Sequence, residues 1–89
     1  MAKYQIVVSR RVYKFLDKLD GKLRQRIIEE VSSLENFPFF IKALDIAKLK
    51  GRKGYYRLRT GRIRTIFKVD KEAKKIFVLK IAYRKVVYK

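Results

Sequence analysis

Cysteine and histidine are both absent from the 89 residues of this sequence. Without them the chain can form no disulfide, no thiolate nucleophile, no serine or cysteine catalytic arrangement that depends on histidine, and no metal site that uses these ligands. No apolar run approaches the roughly 18–20 residues needed to span a membrane, and the N-terminus lacks the apolar core of a signal peptide. We therefore expect a cytoplasmic protein that uses neither a metal nor another cofactor.

Acidic residues are also scarce: eight Asp and Glu stand against 25 Lys and Arg, and the formal net charge is +17. Residues 1–47 hold nine basic and six acidic side chains, a net +3, whereas residues 48–89 hold sixteen and two, a net +14. Two carboxylates are too few for a two-metal nuclease centre. So basic a second half indicates a polyanionic partner, such as nucleic acid, an anionic membrane or an acidic protein. A solvated basic surface without such a partner is the alternative.

The first half of the chain has the pattern of one strand and two helices. Residues 3–8 are short and β-branched, as in a strand, and Ser9 follows in the position of a helix N-cap. Apolar residues then recur at helical spacing in two segments that meet at Asp20-Gly21, and the second runs over about residues 22–36. The single proline ends that helix. Residues 39–47 are expected to form a short helix or an irregular cover.

From Tyr55 onward the hydrophobic period changes to two, which is typical of strands. Three strands are predicted, at residues 55–60, 63–69 and 76–83, with turns at Thr60-Gly61 and at 70–74. Strands this close in sequence pair antiparallel. We therefore expect a single α+β domain over residues 1–89, in which an N-terminal strand and an antiparallel helix pair pack on one face of a small, mainly antiparallel sheet.

Alternation divides each of these strands into an uncharged set and a set that carries cations. We expect the uncharged sets to lie under the helices and the cationic sets to face outward. The uncharged sets are Tyr56 and Leu58, then Ile63, Thr65, Phe67 and Val69, then Phe77, Leu79 and Ile81. The cationic sets are Arg57 and Arg59, then Arg62, Arg64, Ile66 and Lys68, then Ile76, Val78, Lys80, Ala82 and Arg84.

A two-residue turn at Thr60-Gly61 places Arg59 opposite Arg62 and Arg57 opposite Arg64, unless a one-residue bulge shifts the register. Directly opposed like charges in a sheet cost up to ~1 kcal/mol per pair. A phosphate between two guanidinium groups converts this repulsion into charge-assisted hydrogen bonds. Arginine at all four positions therefore favours phosphate recognition over a merely solvated basic face.

The residue types leave open a metal-free route to RNA cleavage. The 2′-OH of RNA can attack the adjacent phosphate if cations stabilise the pentacoordinate transition state and other groups take up and return protons. Tyr, Lys and Arg are the remaining candidates for proton transfer, and a cluster of cations can lower the pKa of a neighbouring cation. An RNase that depends mainly on electrostatic stabilisation is therefore compatible with the sequence.

Two blocks of the sequence resemble the RelE/ParE toxin superfamily. They are LKGRKGYYRLRTGRIRTIFKVD (residues 49–70) and KKIFVLKIAYRKVVYK (residues 74–89), which match the basic hairpin and terminal strand of the family, and the helix pair before them also fits. Resemblance to the RelE branch implies a toxin that cleaves messenger RNA in the ribosomal A site. The implied partners are the ribosome, mRNA and an acidic or amphipathic RelB-like antitoxin in a hetero-oligomer. A ParE-type DNA gyrase inhibitor and an inactive nucleic-acid-binding relative stay open as alternatives.

The resemblance also implies roles for five residues. Arg57 and Arg59 match two basic residues of a family strand, one of which acts on the 2′-OH. Arg64 matches the hairpin arginine that contacts the scissile phosphate. Arg84 matches an arginine for charge stabilisation or leaving-group protonation, and Tyr88 matches a tyrosine that orients or stacks on the base.

Arginine deprotonates far less readily than the lysine that some relatives have at positions 57 and 59, so the identity of the proton acceptor stays open. The other cations of the basic half are expected to bind RNA or the ribosome: Lys48, Lys50, Arg52, Lys53, Arg62, Lys68, Lys80 and Lys85. We expect all of these cationic side chains to converge on one groove.

Overall fold

A computed structural model of the protein describes residues 3–38 and 44–84. Within them the helices are α1 (Arg10–Asp17) and α2 (Gly21–Ser33), and a 3₁₀ turn (Leu34–Asn36) extends α2. The strands are β1 (Gln5–Val8), β2 (Asp45–Lys48), β3 (Tyr55–Thr60), β4 (Ile63–Asp70) and β5 (Lys75–Tyr83). Neither described helix is long and apolar enough to cross a membrane.

The five strands form one sheet in the order β1-β5-β4-β3-β2. Only β1 and β5 run parallel, and the other three neighbouring pairs are antiparallel. The two helices lie between β1 and β2 in the chain, so they connect opposite edges of the sheet. The prediction of an α+β fold with a mainly antiparallel sheet is therefore confirmed.

The positions at which the two helices begin depend on the residues that precede them, Ser9 and Asp20. The carboxylate of Asp20 accepts a hydrogen bond from the backbone N–H of Leu23 at 3.1 Å, which satisfies one of the donors that a helix start leaves without an intrahelical partner. Ser9 has the extended backbone of an N-cap. Its hydroxyl, however, donates to the carbonyl of Leu79 at 3.3 Å, and so connects the start of α1 to β5.

The core lies between the helices and one face of the sheet. Leu58, Ile63 and Phe67 of the sheet are fully buried there, together with Ile27 of α2 and Val12 of α1. These are the apolar positions that the helical and strand periods select, because each residue belongs to the apolar stripe of its element. The opposite face of the sheet is left without a helix among the described residues.

A buried hydrogen bond fixes α2 on the end of β3. The hydroxyl of Thr60, which is completely buried, donates to the carboxylate of Glu30 at 2.8 Å. The other oxygen of that carboxylate lies 3.2 Å from Nε of Arg26. A buried polar group without a partner would cost free energy, so this pairing favours one position of β3 against the helix. The turn that follows β3 is held in place as a result.

Strand β2 is an element that the sequence pattern missed. Residues 45–47 belong to an edge strand paired with β3, so the short helix or irregular cover expected over 39–47 is wrong for this part. Residues 39–43 lie outside the described residues. A strand of four residues is too short to establish a period of two, and it forms because the edge of β3 offers hydrogen-bond partners.

The turn between β3 and β4 is Gly61-Arg62, one residue later than predicted. Thr60 pairs with Ile63, so Arg59 lies opposite Arg64 and the predicted pairing of Arg59 with Arg62 is wrong. The predicted pairing of Arg57 with Arg64 is wrong too, because Arg57 lies opposite Ile66. Gly61 has a φ of +59°, which a glycine adopts without steric cost at the first position of a tight hairpin turn.

A β-bulge in β5 changes which residues of that strand face the helices. Phe67 pairs with Val78 and Ile66 pairs with Lys80, so Leu79 is skipped in the pairing. An inserted residue of this kind reverses the alternation of the strand on one side of the bulge. Beyond the bulge, Ile81 is buried.

Strict alternation therefore assigned the first half of β5 to the wrong faces. Ile76 and Val78, predicted to face outward, are 0% and 1% exposed in the core. Leu79, predicted to be buried, is 36% exposed. Phe77, also predicted to be buried, lies opposite Lys68 and therefore on the open face. Only the pairing with β4 reveals the extra residue.

The bulge can be tested by stability. We expect Ile76→Ala to lower the free energy of unfolding by about 2–5 kcal/mol, because it leaves a cavity in the core. Leu79→Ala removes an aliphatic side chain of the same size from the surface, and we expect a loss of about 1 kcal/mol or less. Urea unfolding followed by circular dichroism measures both. Equal losses, or a larger loss for Leu79→Ala, would contradict the observed register.

Candidate functional site

Arginines are concentrated on the open face of the sheet, at the end nearest the Gly61-Arg62 turn. Arg59 and Arg64 are cross-strand partners, and Arg57 lies two residues before Arg59 on the same face of β3. Arg64 also lies opposite Ala82 of β5, two residues before Arg84. The structure therefore brings together Arg57, Arg59, Arg64 and Arg84, which we call the arginine cluster.

Arg64 lies at the centre of the arginine cluster. Only 5% of its surface is exposed, although the guanidinium group is charged. Burial is the largest cause that lowers the pKa of Arg64, because a low-dielectric environment disfavours the charged form. Three neighbouring guanidinium groups lower this pKa further, in the order Arg57, Arg84 and Arg59, and Asp45 acts in the opposite direction. A phosphate placed here would therefore meet several converging cations.

Asp45 of β2 reaches the arginine cluster from the edge of the sheet. It lies opposite Arg59 in the register. The Nε–H of Arg59 donates to Oδ2 of Asp45 at 2.6 Å, and Nη2 of Arg57 lies 3.6 Å from Oδ1. One carboxylate against four guanidinium groups leaves a local charge of +3, counted as four minus one. The cluster is therefore only partly neutralised within the chain.

No family model matches the sequence. A protein named toxin RelE1, from Methanocaldococcus jannaschii, is 30% identical over 87 residues, which cover 98% of this chain and 97% of that protein. The chain belongs to the RelE toxin family. The predicted resemblance to this superfamily is thereby confirmed over nearly the whole length of the sequence.

Two solved RelE structures have the same fold. The RelE of a RelE–RelB complex from Pyrococcus horikoshii superposes with a TM-score of 0.82 at 31% identity, covering 97% of this chain and 99% of that one. The RelE of a RelB–RelE antitoxin–toxin complex from Methanococcus jannaschii gives a TM-score of 0.74 at 29% identity, covering 93% and 95%. The chain is thus a RelE toxin of the kind found in toxin–antitoxin systems.

The RelE-family interpretation named Arg57, Arg59, Arg64 and Arg84 as catalytic, and the structure places these four side chains in one cluster. Their roles in catalysis stay predictions. Tyr88, the fifth residue of that set, lies outside the described residues, and so does Lys85 of the binding set. Within the described residues, no group of three or more acidic side chains is placed to hold a metal ion.

Only some of the other predicted RNA-binding cations in the described residues lie near the arginine cluster. Lys80 lies on the open face of β5, and Arg62 lies in the β3–β4 turn. Five further cations lie at the far end of the sheet, on β2, on β4 or in the loop between β2 and β3: Lys48, Lys50, Arg52, Lys53 and Lys68. The cations occur along the whole length of the hairpin strands, so they lie at both ends of the sheet. The expectation of one groove is therefore corrected to two basic regions.

Asp45 is the candidate residue of this RelE toxin that sequence reasoning missed. Its strand was not predicted, so nothing indicated which face of the sheet it would join. The sequence contains one signal that points to it: Asp45 is the last acidic residue before a stretch without acids that ends only at Asp70. An isolated carboxylate next to so many cations is a candidate ion-pair partner, but only the pairing of β2 with β3 identifies the arginines that it contacts.

Proposed function

We propose that this RelE toxin is an endoribonuclease that cleaves mRNA in the ribosomal A site, without a metal or other cofactor, and thereby stops translation. The observation that supports the proposal is the arginine cluster on the open face of the sheet, with one carboxylate at its edge. Such a site combines cations for a phosphate with a group that can accept a proton. These are the requirements of RNA cleavage by its own 2′-OH.

The reaction breaks one P–O bond and forms another. The 2′-oxygen attacks the adjacent phosphorus, the bond to the 5′-oxygen breaks, and the products carry a 2′,3′-cyclic phosphate and a 5′-hydroxyl. Negative charge builds up on the phosphate oxygens in the pentacoordinate transition state. Arg57, Arg59 and Arg64 are placed to stabilise it, because their guanidinium groups are held before the substrate arrives and need no reorganisation.

Asp45 is the group that we propose to accept the proton of the 2′-OH. An arginine cannot do so, because its guanidinium group already carries a proton. The carboxylate of Asp45 is 41% exposed, so a ribose can reach it, and its contact with Arg59 orients it towards the arginine cluster.

The 5′-oxygen must receive a proton as it leaves. Arg84 is the candidate donor, because it is exposed beside Arg64 and matches the family residue expected to stabilise charge or protonate the leaving group. The charges of Arg84 and of the buried Arg64 also stabilise the developing oxyanion before the proton moves.

A RelB-like antitoxin is the proposed protein partner, because the two RelE relatives above were solved with RelB. The basic open face favours an acidic segment of that antitoxin, which would cover the arginine cluster. A second surface suits an amphipathic segment: an apolar groove of about 350 Å³ between β1, α1 and α2. Tyr13 and Ile28, two large exposed apolar side chains, lie along this groove. We therefore propose a hetero-oligomer of toxin and antitoxin.

Cell-free translation tests the proposed activity. We expect the purified protein to cut a translated mRNA at codons in the ribosomal A site, as mapped by primer extension. The same mRNA without a start codon is the control, and we expect it to stay intact because no ribosome presents it. DNA breaks linked to gyrase without mRNA cleavage would contradict the proposal in favour of a gyrase inhibitor. RNA binding without cleavage in either assay would identify an inactive relative.

A further inference from the structure

A second basic region forms a cleft at the end of the sheet remote from the β3–β4 turn. It lies between the loop at residues 49–54 and residues 70–72 at the end of β4, and encloses about 860 Å³. Five cations line it against two acids, a net +3: Lys48, Arg52, Lys53, Lys68 and Lys71 against Asp70 and Glu72. The carboxylate of Asp70 accepts the backbone N–H of Ala73 at 3.0 Å, so one of the two acids stabilises the turn. A cleft with this charge suits an anion.

An aromatic ring holds two of these cations in place. The guanidinium carbon of Arg52 lies 5.7 Å from the centre of the Tyr55 ring, and Nζ of Lys68 lies 5.6 Å from it. Cations are attracted to the negative face of such a ring at this range. Neither cation forms a salt bridge with a carboxylate of the described residues. Their positions are therefore restricted while their N–H groups can still donate to a ligand.

The loop of the cleft is held by backbone hydrogen bonds. The N–H of Leu49 donates to the carbonyl of Tyr55 at 3.0 Å, and the N–H of Val69 donates to the carbonyl of Gly54 at 2.9 Å. Gly54 has a φ of +84°, which residues with a side chain rarely adopt. A loop ordered in this way loses little conformational entropy when a ligand binds.

The cleft and the arginine cluster are connected along β3. Tyr55, Arg57 and Arg59 are alternate residues of this strand, so all three lie on the open face. Tyr55 and Arg59 are four residue steps apart along the strand, a distance of about 13 Å. An extended polyanion laid along β3 would therefore meet cations at both ends of the strand. A nucleic-acid backbone meets this requirement better than an acidic peptide does, because every one of its residues carries a charge.

We propose that this cleft is a second site for the phosphodiester backbone of RNA, separate from the arginine cluster. The inference rests on the proposed function, in which the arginine cluster binds the RNA phosphate that is cleaved. Arg52 and Lys68 contact phosphates of a flanking segment, and Tyr55 positions both cations. The flanking segment belongs either to the mRNA that is cleaved or to ribosomal RNA.

Binding of a non-cleavable RNA tests the site. The probe is a single-stranded 2′-O-methyl RNA oligonucleotide, which lacks the attacking hydroxyl, so binding is measured apart from cleavage. The test protein carries Arg52→Gln and Lys68→Gln. The control carries Arg11→Gln and Lys14→Gln, which remove the same two charges from exposed positions of α1. Circular dichroism and thermal unfolding establish that both variants are folded.

The expected result is a change in salt dependence. Each contact with a single-stranded phosphate contributes about 0.7 to the slope of log K against log salt, so losing two contacts lowers the slope by about 1.4 in magnitude. Affinity in 0.1 M salt falls by roughly tenfold or more for the test protein, and the control keeps the wild-type slope. An unchanged slope in the test protein would overturn the site, provided that ribosome binding is unchanged as well.

A second experiment identifies the source of the RNA by measuring binding of the same proteins to ribosomes that carry no mRNA. Weaker binding of the test protein to the oligonucleotide identifies an mRNA site, and weaker binding to empty ribosomes alone identifies ribosomal RNA. If the test protein binds both as wild type does and loses affinity only for polyglutamate, the cleft binds an acidic protein and our inference is wrong. If the wild-type protein binds RNA through the cleft but cleaves no mRNA, the proposed function is wrong and the inference about the cleft still holds.

Discussion

Replacing Arg64 with alanine is expected to reduce the rate of mRNA cleavage by about 10²- to 10³-fold, the loss seen when a preorganised group that stabilises transition-state charge is removed. Arg64 is the buried member of the arginine cluster, and its charge interacts with those of Arg57, Arg59 and Arg84. The buried position of Arg64 is not accessible to the other arginines of the cluster, so they cannot replace its charge. Single-turnover cleavage of mRNA in stalled ribosome complexes measures the rate, and primer extension locates the cut.

Two companion variants separate the role of Arg64 from nonspecific effects. Arg11→Ala removes one exposed positive charge from α1, and we expect it to cleave at the wild-type rate. Arg64→Lys keeps the charge but loses the forked donors of the guanidinium group, and we expect an intermediate rate. Growth arrest on expression should follow the same order. If the Arg64→Ala protein is folded by circular dichroism and still arrests growth, Arg64 is not part of the site.

Replacing Asp45 with asparagine is expected to slow cleavage by about 10²- to 10⁴-fold, the usual contribution of a positioned proton acceptor. Asparagine has nearly the same shape and its amide oxygen can still accept the hydrogen bond from Arg59, so the geometry of the arginine cluster is kept. What is lost is the capacity to take the proton of the 2′-OH. The measurement is again the single-turnover rate.

A comparison of two substitutions distinguishes a proton acceptor from a residue that only positions the arginines. If Asp45 accepts the proton, Asp45→Asn and Asp45→Ala should both cleave slowly, because neither side chain can take the proton of the 2′-OH. Asp17→Asn, an exposed change at the end of α1, is the matched control and should cleave at the wild-type rate. If Asp45→Asn cleaves at the wild-type rate while Asp45→Ala does not, Asp45 positions the arginines and another group accepts the proton.

The arginines of the site could be placed from the sequence because strand alternation is a local property. Arg57 and Arg59 must share a face of any regular strand, and Leu58 between them must face the other side. The period of two over residues 55–60 therefore indicated an open face rich in arginine before any pairing was known. The same argument could not find Asp45, since a strand of four residues carries no readable period and the partner of Asp45, Arg59, lies 14 residues further along the chain.

The sequence by itself determined the fold class, the start of α2 at Asp20, the charge of the open face and membership of the RelE toxin family. These features depend on periodicity, capping and motifs, all of which act between residues that are near in sequence. Tertiary structure alone decided that Leu79 forms a bulge, that Arg59 lies opposite Arg64, and that the cations divide between two regions. Each of these depends on which atoms of one strand meet those of another, and pairing free energies between distant segments are not encoded in a local pattern.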